Sequence, residues 1–340
     1  MSLSMTGIVG NEKLRDRLCS DILSETFSHA YIISGPAGSG KRTIAMQYAA
    51  ALACENKGIG GYALPCCACP SCKKILEYKS PDILITEKDG ASVKIDQIRE
   101  LQQSISVVPN ELDHKIYIIE NAETMTAQAQ NALLLTLEEP PSYVIFFLLC
   151  EAEEKLLETV KSRAPILRTE PIRQELIKQY LIENSDEAKS LAKSNPEEFD
   201  AVVSISSNSI GRAIELIDEK TRQPLVQQRE SAEALVNYAL SKDAIRLTEL
   251  IISLPHKQDE LIPLLTYAQN ALRDLCLLKQ NEDIELCFYS DREKATEKAY
   301  SISISAIMAL YNKLEATKDT LSRNANIKLT LVNLIASINS

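Results

Sequence analysis

The sequence contains no tryptophan and only 5% aromatic residues, which counts against the stacked aromatic platforms that hold single-stranded nucleic acid. It also lacks an excess of positive charge: 37 Lys and Arg stand against 47 Asp and Glu, for a formal net charge of -10. That balance argues against a domain whose whole surface tracks a phosphate backbone, and it disfavours a zinc-dependent nucleic-acid binder. No apolar run is long enough to span a bilayer; the best, 143–150, has eight residues. Residues 1–10 carry neither a basic n-region nor an apolar h-region, so nothing there predicts secretion. Of the three histidines, none has a partner at a spacing that suggests a catalytic pair. His29 reads as a structural residue entering the first core strand.

What is present is an ordinary globular composition, 45% hydrophobic and 25% charged over 340 residues, a length that favours two or three domains over one core. In the first half, short β-rich runs alternate with helical periodicity, the pattern of an α/β layer fold with a parallel sheet. Strands are expected at 30–34, 82–86, 116–120, 143–149 and 166–168. Several are apolar without alternation, as strands covered on both faces should be. Beyond Pro171 the strand signal fades into short helices broken near Asn195-Pro196 and Asn208; 221–224 reads as a linker, and 225–340 is helical almost throughout. The expected architecture is therefore an α/β P-loop domain over 1–170, with helices on both faces of a parallel sheet, then a helical lid over 171–222 and an all-α domain over 223–340.

Gly35-Pro36-Ala37-Gly38-Ser39-Gly40-Lys41 follows an expected strand and precedes an expected helix, the context a phosphate-binding loop requires. Gly35, Gly38 and Gly40 let the backbone N–H groups turn inward, and Lys41 supplies a point charge for β- and γ-phosphates. The next position departs: a hydroxyl is needed there for Mg²⁺, and the residue is Arg42. Thr43 follows, but one step along a helix rotates a side chain by about 100°, so it does not substitute. The strand at 116–120 ends in Glu120, where a metal-ligating carboxylate belongs, and the following residue is Asn121, an amide that cannot accept the proton of an attacking water. Nucleotide binding with Mg²⁺ is expected to be weak or absent, and independent ATPase activity is not expected.

Cys66, Cys69 and Cys72 stand at successive x-x intervals behind Cys54. Four thiolates at such spacing satisfy tetrahedral Zn²⁺ and leave no open position, so the site is read as structural, ahead of thioredoxin-like redox chemistry. Cys67 is a fifth candidate, with Cys66 giving the regular spacing. Cys19, Cys150, Cys276 and Cys287 read as small core residues. Four clustered cysteines of metal type, and no secretory signal, favour the cytosol.

Taken in order, His29–Gly35, the cysteine insertion over 54–72, Ser80-Pro81-Asp82, the 93–99 run, Leu137-Glu138-Glu139-Pro140-Pro141 and Ser162-Arg163 resemble the bacterial clamp-loader subunits of the AAA+ class. The altered residues Arg42, Glu120 and Asn121 make the chain similar to the stator kind; an active gamma/tau-like ATPase motor is the alternative. The resemblance implies that Arg163 is a trans arginine finger, projected into the ATP site of a neighbouring motor subunit, although Ala164 replaces the motif's usual Cys. It matches Arg212 to a sensor-two arginine, with an exposed helix-start residue as the equal alternative. It also implies partners: gamma/tau and delta subunits joined through a C-terminal collar, the sliding clamp, and primed DNA reached through the assembly.

Overall fold

The computed structural model describes residues 5–57, 59, 63–281, 284, 286–289, 291–323 and 325–339; the first four residues of the 1–10 stretch lie outside these. The first half runs α1 (Glu12–Leu23), β1 (Ala30–Ser34), α2 (Lys41–Leu52), α3 (Pro70–Leu76), β2 (Ile83–Thr86), α4 (Ile95–Ile105), β3 (Lys115–Ile119), α5 (Ala127–Glu138), β4 (Val144–Cys150), α6 (Glu158–Lys161) and β5 (Ile166–Arg168). The strands form one five-stranded sheet in the order β2-β3-β4-β1-β5, and every pair is parallel.

Two-sided burial explains the strands without alternation. Every residue of β1, β3 and β4 is buried, and successive side chains enter opposite cores. Tyr31, Ile33, Ile118 and Phe147 enter one; Ile32, Tyr117, Phe146 and Leu148 enter the other. Each such side chain contributes roughly 1.5–3 kcal/mol of burial, so both layers of helices are required by the sequence of the strands themselves. Lys115 is the exception at the start of β3: its ammonium donates to the carbonyls of Ser104 at 2.8 Å and Val107 at 3.2 Å, which satisfies it at the end of α4.

The Ser80-Pro81-Asp82 motif has a structural cause. Asp82 is buried, and its carboxylate accepts the backbone N–H groups of Asn110 at 2.7 Å, Glu111 at 2.7 Å and Leu112 at 2.9 Å. One carboxylate therefore fixes the turn that leads into β3, which in turn carries Glu120 to its place.

The chain divides into two compact units, Met1–Leu176 with Ser209–Gly211, and Ile177–Asn208 with Arg212–Ser340. The later helices are α7 (Gln174–Asn184), α8 (Asp186–Ser194), α9 (Pro196–Ile205), α10 (Ile210–Glu215), α11 (Glu219–Ser241), α12 (Ala244–Ser253), α13 (Gln258–Leu278), α14 (Arg292–Ser301), α15 (Ile304–Ser322) and α16 (Ile327–Asn339). The break expected at Asn195-Pro196 is present: the Asn195 side chain caps α9 by accepting the Glu198 N–H, with Pro196 at the first helical position. The linker expected at 221–224 is not. Helix α11 runs through Pro224, tied down by buried Arg222, which donates to the carbonyls of Leu216 and Ile217 and to Glu198 at 2.7 Å.

Inside the second unit, Leu235, Leu264, Leu272, Leu275 and Leu314 share one core. Buried Asp274 repeats the Asp82 device, accepting N–H groups from Cys287, Phe288 and Tyr289. Among the described residues no helix is long and apolar enough to cross a membrane. Replacing Asp82 with Ala removes the buried acceptor of three part-buried backbone N–H groups, so urea unfolding of the D82A chain should show a loss of about 2 kcal/mol.

Candidate functional site

The sheet order puts the carboxyl ends of β1, β3, β4 and β5 side by side, the place where parallel α/β sheets bind ligands. The loop after β1 begins at Gly35, whose N–H donates to the Cys150 carbonyl at 3.1 Å. It ends at Gly40, whose φ of 83° is a left-handed value that glycine adopts without cost and that opens α2. Gly38 is approached by backbone: the Gly211 N–H donates to its carbonyl at 3.1 Å, and a side chain on Gly211 would come within 2.9 Å of Gly38. Lys41 donates to the carbonyls of Gly35 at 2.6 Å and Pro36 at 2.8 Å. Burial lowers its pKa, opposed by the carboxylates of Glu151, Glu123 and Glu120. The loop is therefore correctly shaped, and its lysine is bound to the loop itself.

The residue after Lys41 is paired with protein carboxylates. In the register of β2 against β3, Thr86 lies opposite Ile119 and accepts the Glu120 N–H as the ladder continues. Glu87 and Glu120 therefore leave adjacent strands side by side, from backbones about 4.8 Å apart, so that their carboxylates repel if both reach the same cation. Arg42 resolves the repulsion. Its Nε donates to Glu120 and its Nη2 to Glu87 at 2.5 Å. The bond to Glu120 is the main cause of a guanidinium pKa raised above its usual value, against the opposing effect of burial. A fixed cation thus lies between the start of α2 and the carboxylates that follow β2 and β3. Thr43 is exposed on α2 and does not take part. Asn121 starts the next turn in a left-handed conformation with φ 49°. At the end of β4, Cys150 is fully buried and its thiol is pushed up to about 11, chiefly by that burial.

The cysteine set closes on itself. The sulfurs of Cys54, Cys66, Cys69 and Cys72 all lie within 4.8 Å of one another. Zn–S bonds of about 2.3 Å would set sulfurs roughly 3.8 Å apart, so small movements bring the four onto one ion. Cys66 Sγ accepts N–H bonds from Cys69 and from the Asn56 side chain, both at 3.4 Å, and Cys69 Sγ accepts the Cys72 N–H at 3.4 Å. The backbone N–H groups of Ala68 and Cys69 pull the Cys66 thiol down to about 6, while burial pushes Cys54 and Cys72 up. Buried thiols of that kind lose their protons when a cation arrives. Cys67 is exposed and outside the set.

Arg163 follows α6. Its Nη1 donates to the Thr159 carbonyl at 2.9 Å and to Ser162 Oγ at 3.3 Å, and its Nη2 to Glu138 at 2.6 Å. Ala164, the departure from the motif, is a small buried core residue. Arg212 donates to the Tyr267 hydroxyl at 3.0 Å. His29 bonds the Leu137 carbonyl at 3.1 Å, joining the start of β1 to the end of α5. Reading the sequence missed three partners: Glu87, Glu138 and Tyr267. Only Glu138 carried a signal, since it lies in the Leu-Glu-Glu-Pro-Pro string.

The profile of the family described as "DNA polymerase III, delta subunit" matches residues 10–173. The delta' subunit of DNA polymerase III from Bacillus subtilis (strain 168) is 34% identical over 199 residues, 58% of this chain and 56% of that protein. The tau subunit of the same organism is 37% identical over 157 residues, 46% of this chain and 27% of its own length. Among solved structures, a gamma-subunit-related protein of Thermotoga maritima covers 95% of this chain and 98% of its own, at 18% identity and a TM-score of 0.41. The chain spans about half the length, or less, of the curated relatives it matches. Residues 10–173 are thus an α/β domain with a phosphate-loop sequence after β1, similar to the corresponding part of DNA polymerase III delta' and tau subunits.

Two outcomes follow from this geometry. An ATP analogue titrated into the chain should bind with the same affinity in EDTA as in Mg²⁺, whereas R42T, which frees Glu87 and Glu120, should bind about tenfold more tightly with Mg²⁺ than without it. Metal-free protein treated with iodoacetamide at pH 7 should be alkylated first at Cys66 within the set. A thiol held near 6 is mostly thiolate above that pH and loses its advantage as pH falls below it. Peptide mapping with and without added zinc reads both effects.

Proposed function

We propose that the chain is a delta' subunit of a bacterial DNA polymerase III clamp loader, a stator that performs no ATP hydrolysis of its own and lends Arg163 to a neighbouring motor subunit. The observation that carries this reading is the bridging of Glu87 and Glu120 by Arg42. A motor needs a divalent cation between loop and carboxylate and a base to activate water. Here a guanidinium holds the first position and Asn121 the second. The similarity to delta' and tau subunits supports the assignment, and the occupied metal half favours delta' over the gamma/tau alternative.

In the proposed assembly, motor subunits of the gamma/tau kind bind ATP, grip and open a sliding clamp, and place it on primed DNA together with a delta subunit. The present chain is the fixed jaw, joined to the ring through its C-terminal helices and acting in the cytoplasm. Arg163 stabilises charge on the phosphoryl group transferred in the adjoining subunit, as a guanidinium in trans does elsewhere. Cys54, Cys66, Cys69 and Cys72 hold a structural zinc, which cross-links the segment between α2 and α3. The glycines of the loop, with Lys41, keep the form of a phosphate-binding loop, and Arg212 matches the family's sensor-two arginine by resemblance, with an exposed helix-start residue as the equal alternative.

Reconstitution with its own tau and delta subunits tests the reading. R163A should lower the ATPase rate of the complex by about 10²-fold or more, with the complex still eluting at its assembled size. The isolated chain should show negligible turnover, unchanged by K41A. Sustained hydrolysis by the isolated chain, abolished by K41A, would falsify the stator assignment.

A further inference from the structure

Glu138 and Arg163 are mounted on one rigid base. Glu138 is the last residue of α5, directly after Leu137, and Arg163 lies between Val160 and Ala164 at the end of α6. Leu137, Val160 and Ala164 are buried in the same hydrophobic cluster. The last turn of α5 is also held to β1 by the bond from His29 to the Leu137 carbonyl. The backbone from which each side chain springs is therefore held by that packing, and the ion pair joins the two side chains above it. Both side chains remain partly open to solvent, at 33% for Arg163 and 47% for Glu138.

A guanidinium offers five N–H donors. The Thr159 carbonyl, Ser162 Oγ and Glu138 take three of them. Two stay available for an incoming phosphate oxygen pair, so the arginine is held in place without being used up. Holding matters, because a free arginine side chain must lose most of its rotamer freedom before it can meet a transition state. Glu138 is the contact on Nη2; the other two come from the arginine's own helix end.

We propose that Glu138 is a positioning residue for Arg163: it aims the guanidinium that the clamp-loader reading above assigns to a neighbour's ATP site, and this inference rests on that reading. The carboxylate touches no nucleotide; it acts by narrowing the directions open to the arginine before subunits meet. An isolated, solvent-screened ion pair has a modest effect, and the expected change in rate is modest too.

The test uses the complex reconstituted with tau and delta subunits, with clamp and primed DNA present. E138A should lower kcat for ATP about threefold to fivefold, leave KM for ATP and assembled size unchanged, and lose its effect when R163A is also present. E138Q keeps an acceptor oxygen and should restore at least half of the lost rate. In the isolated chain, NMR of the Arg163 guanidinium should show faster rotation in E138A than in wild type. An E138A complex that turns over at the wild-type rate or faster, or a double variant slower than R163A alone, overturns the proposal. If R163A lowers the rate while E138A does not, the donated arginine stands and only its positioning falls. If R163A is itself silent, both fall together.

Discussion

Two carboxylates delivered side by side by parallel strands have to be neutralised, and the choice of cation decides what the rest of this domain can do. The register that places Glu87 beside Glu120 is fixed by the apolar pairing of β2 and β3, itself anchored where Asp82 gathers three backbone N–H groups. In a hydrolase the neutralising charge is a metal ion that also grips phosphate. Here it is Arg42. Everything around the loop then follows a different logic: Lys41 turns back to carbonyls of its own loop, and no side chain at Asn121 or Cys150 is suited to handle a water.

The same domain keeps one charged group in good order at its surface. Arg163 has an acid partner, a carbonyl and a hydroxyl arranged about it, and the residues on either side are anchored in the core. Arg42 is thus turned inward to the carboxylates of its own domain, while Arg163 is held near the surface with part of its guanidinium open to solvent. The cysteine set fits that emphasis on rigidity, since it closes an irregular segment that has few hydrophobic residues to fix it.

Much of this was legible in the amino-acid order. The strands were marked by unbroken apolar runs such as 143–149, because two-sided burial leaves no polar face to spoil the pattern. Their ends shifted by a residue where a long side chain found carbonyls, as Lys115 did. The clustering of four cysteines and the altered residue after Lys41 were readable because they depend on spacing along the chain. What could not be read was pairing across it. Glu87 meets Arg42 only through strand register, and Glu138 meets Arg163 only because two helix ends share a core. Pro224 was misleading for the opposite reason: local preference favoured a break, and buried Arg222 with its carbonyl and carboxylate partners outweighed it.

A counter-ion that belongs to the polypeptide cannot be chelated, exchanged or released with product. The charge of this crevice is therefore set by Arg42, whatever the local supply of divalent cations. Its electrostatics are set by the fold, through the strand register that brings Glu87 and Glu120 to Arg42.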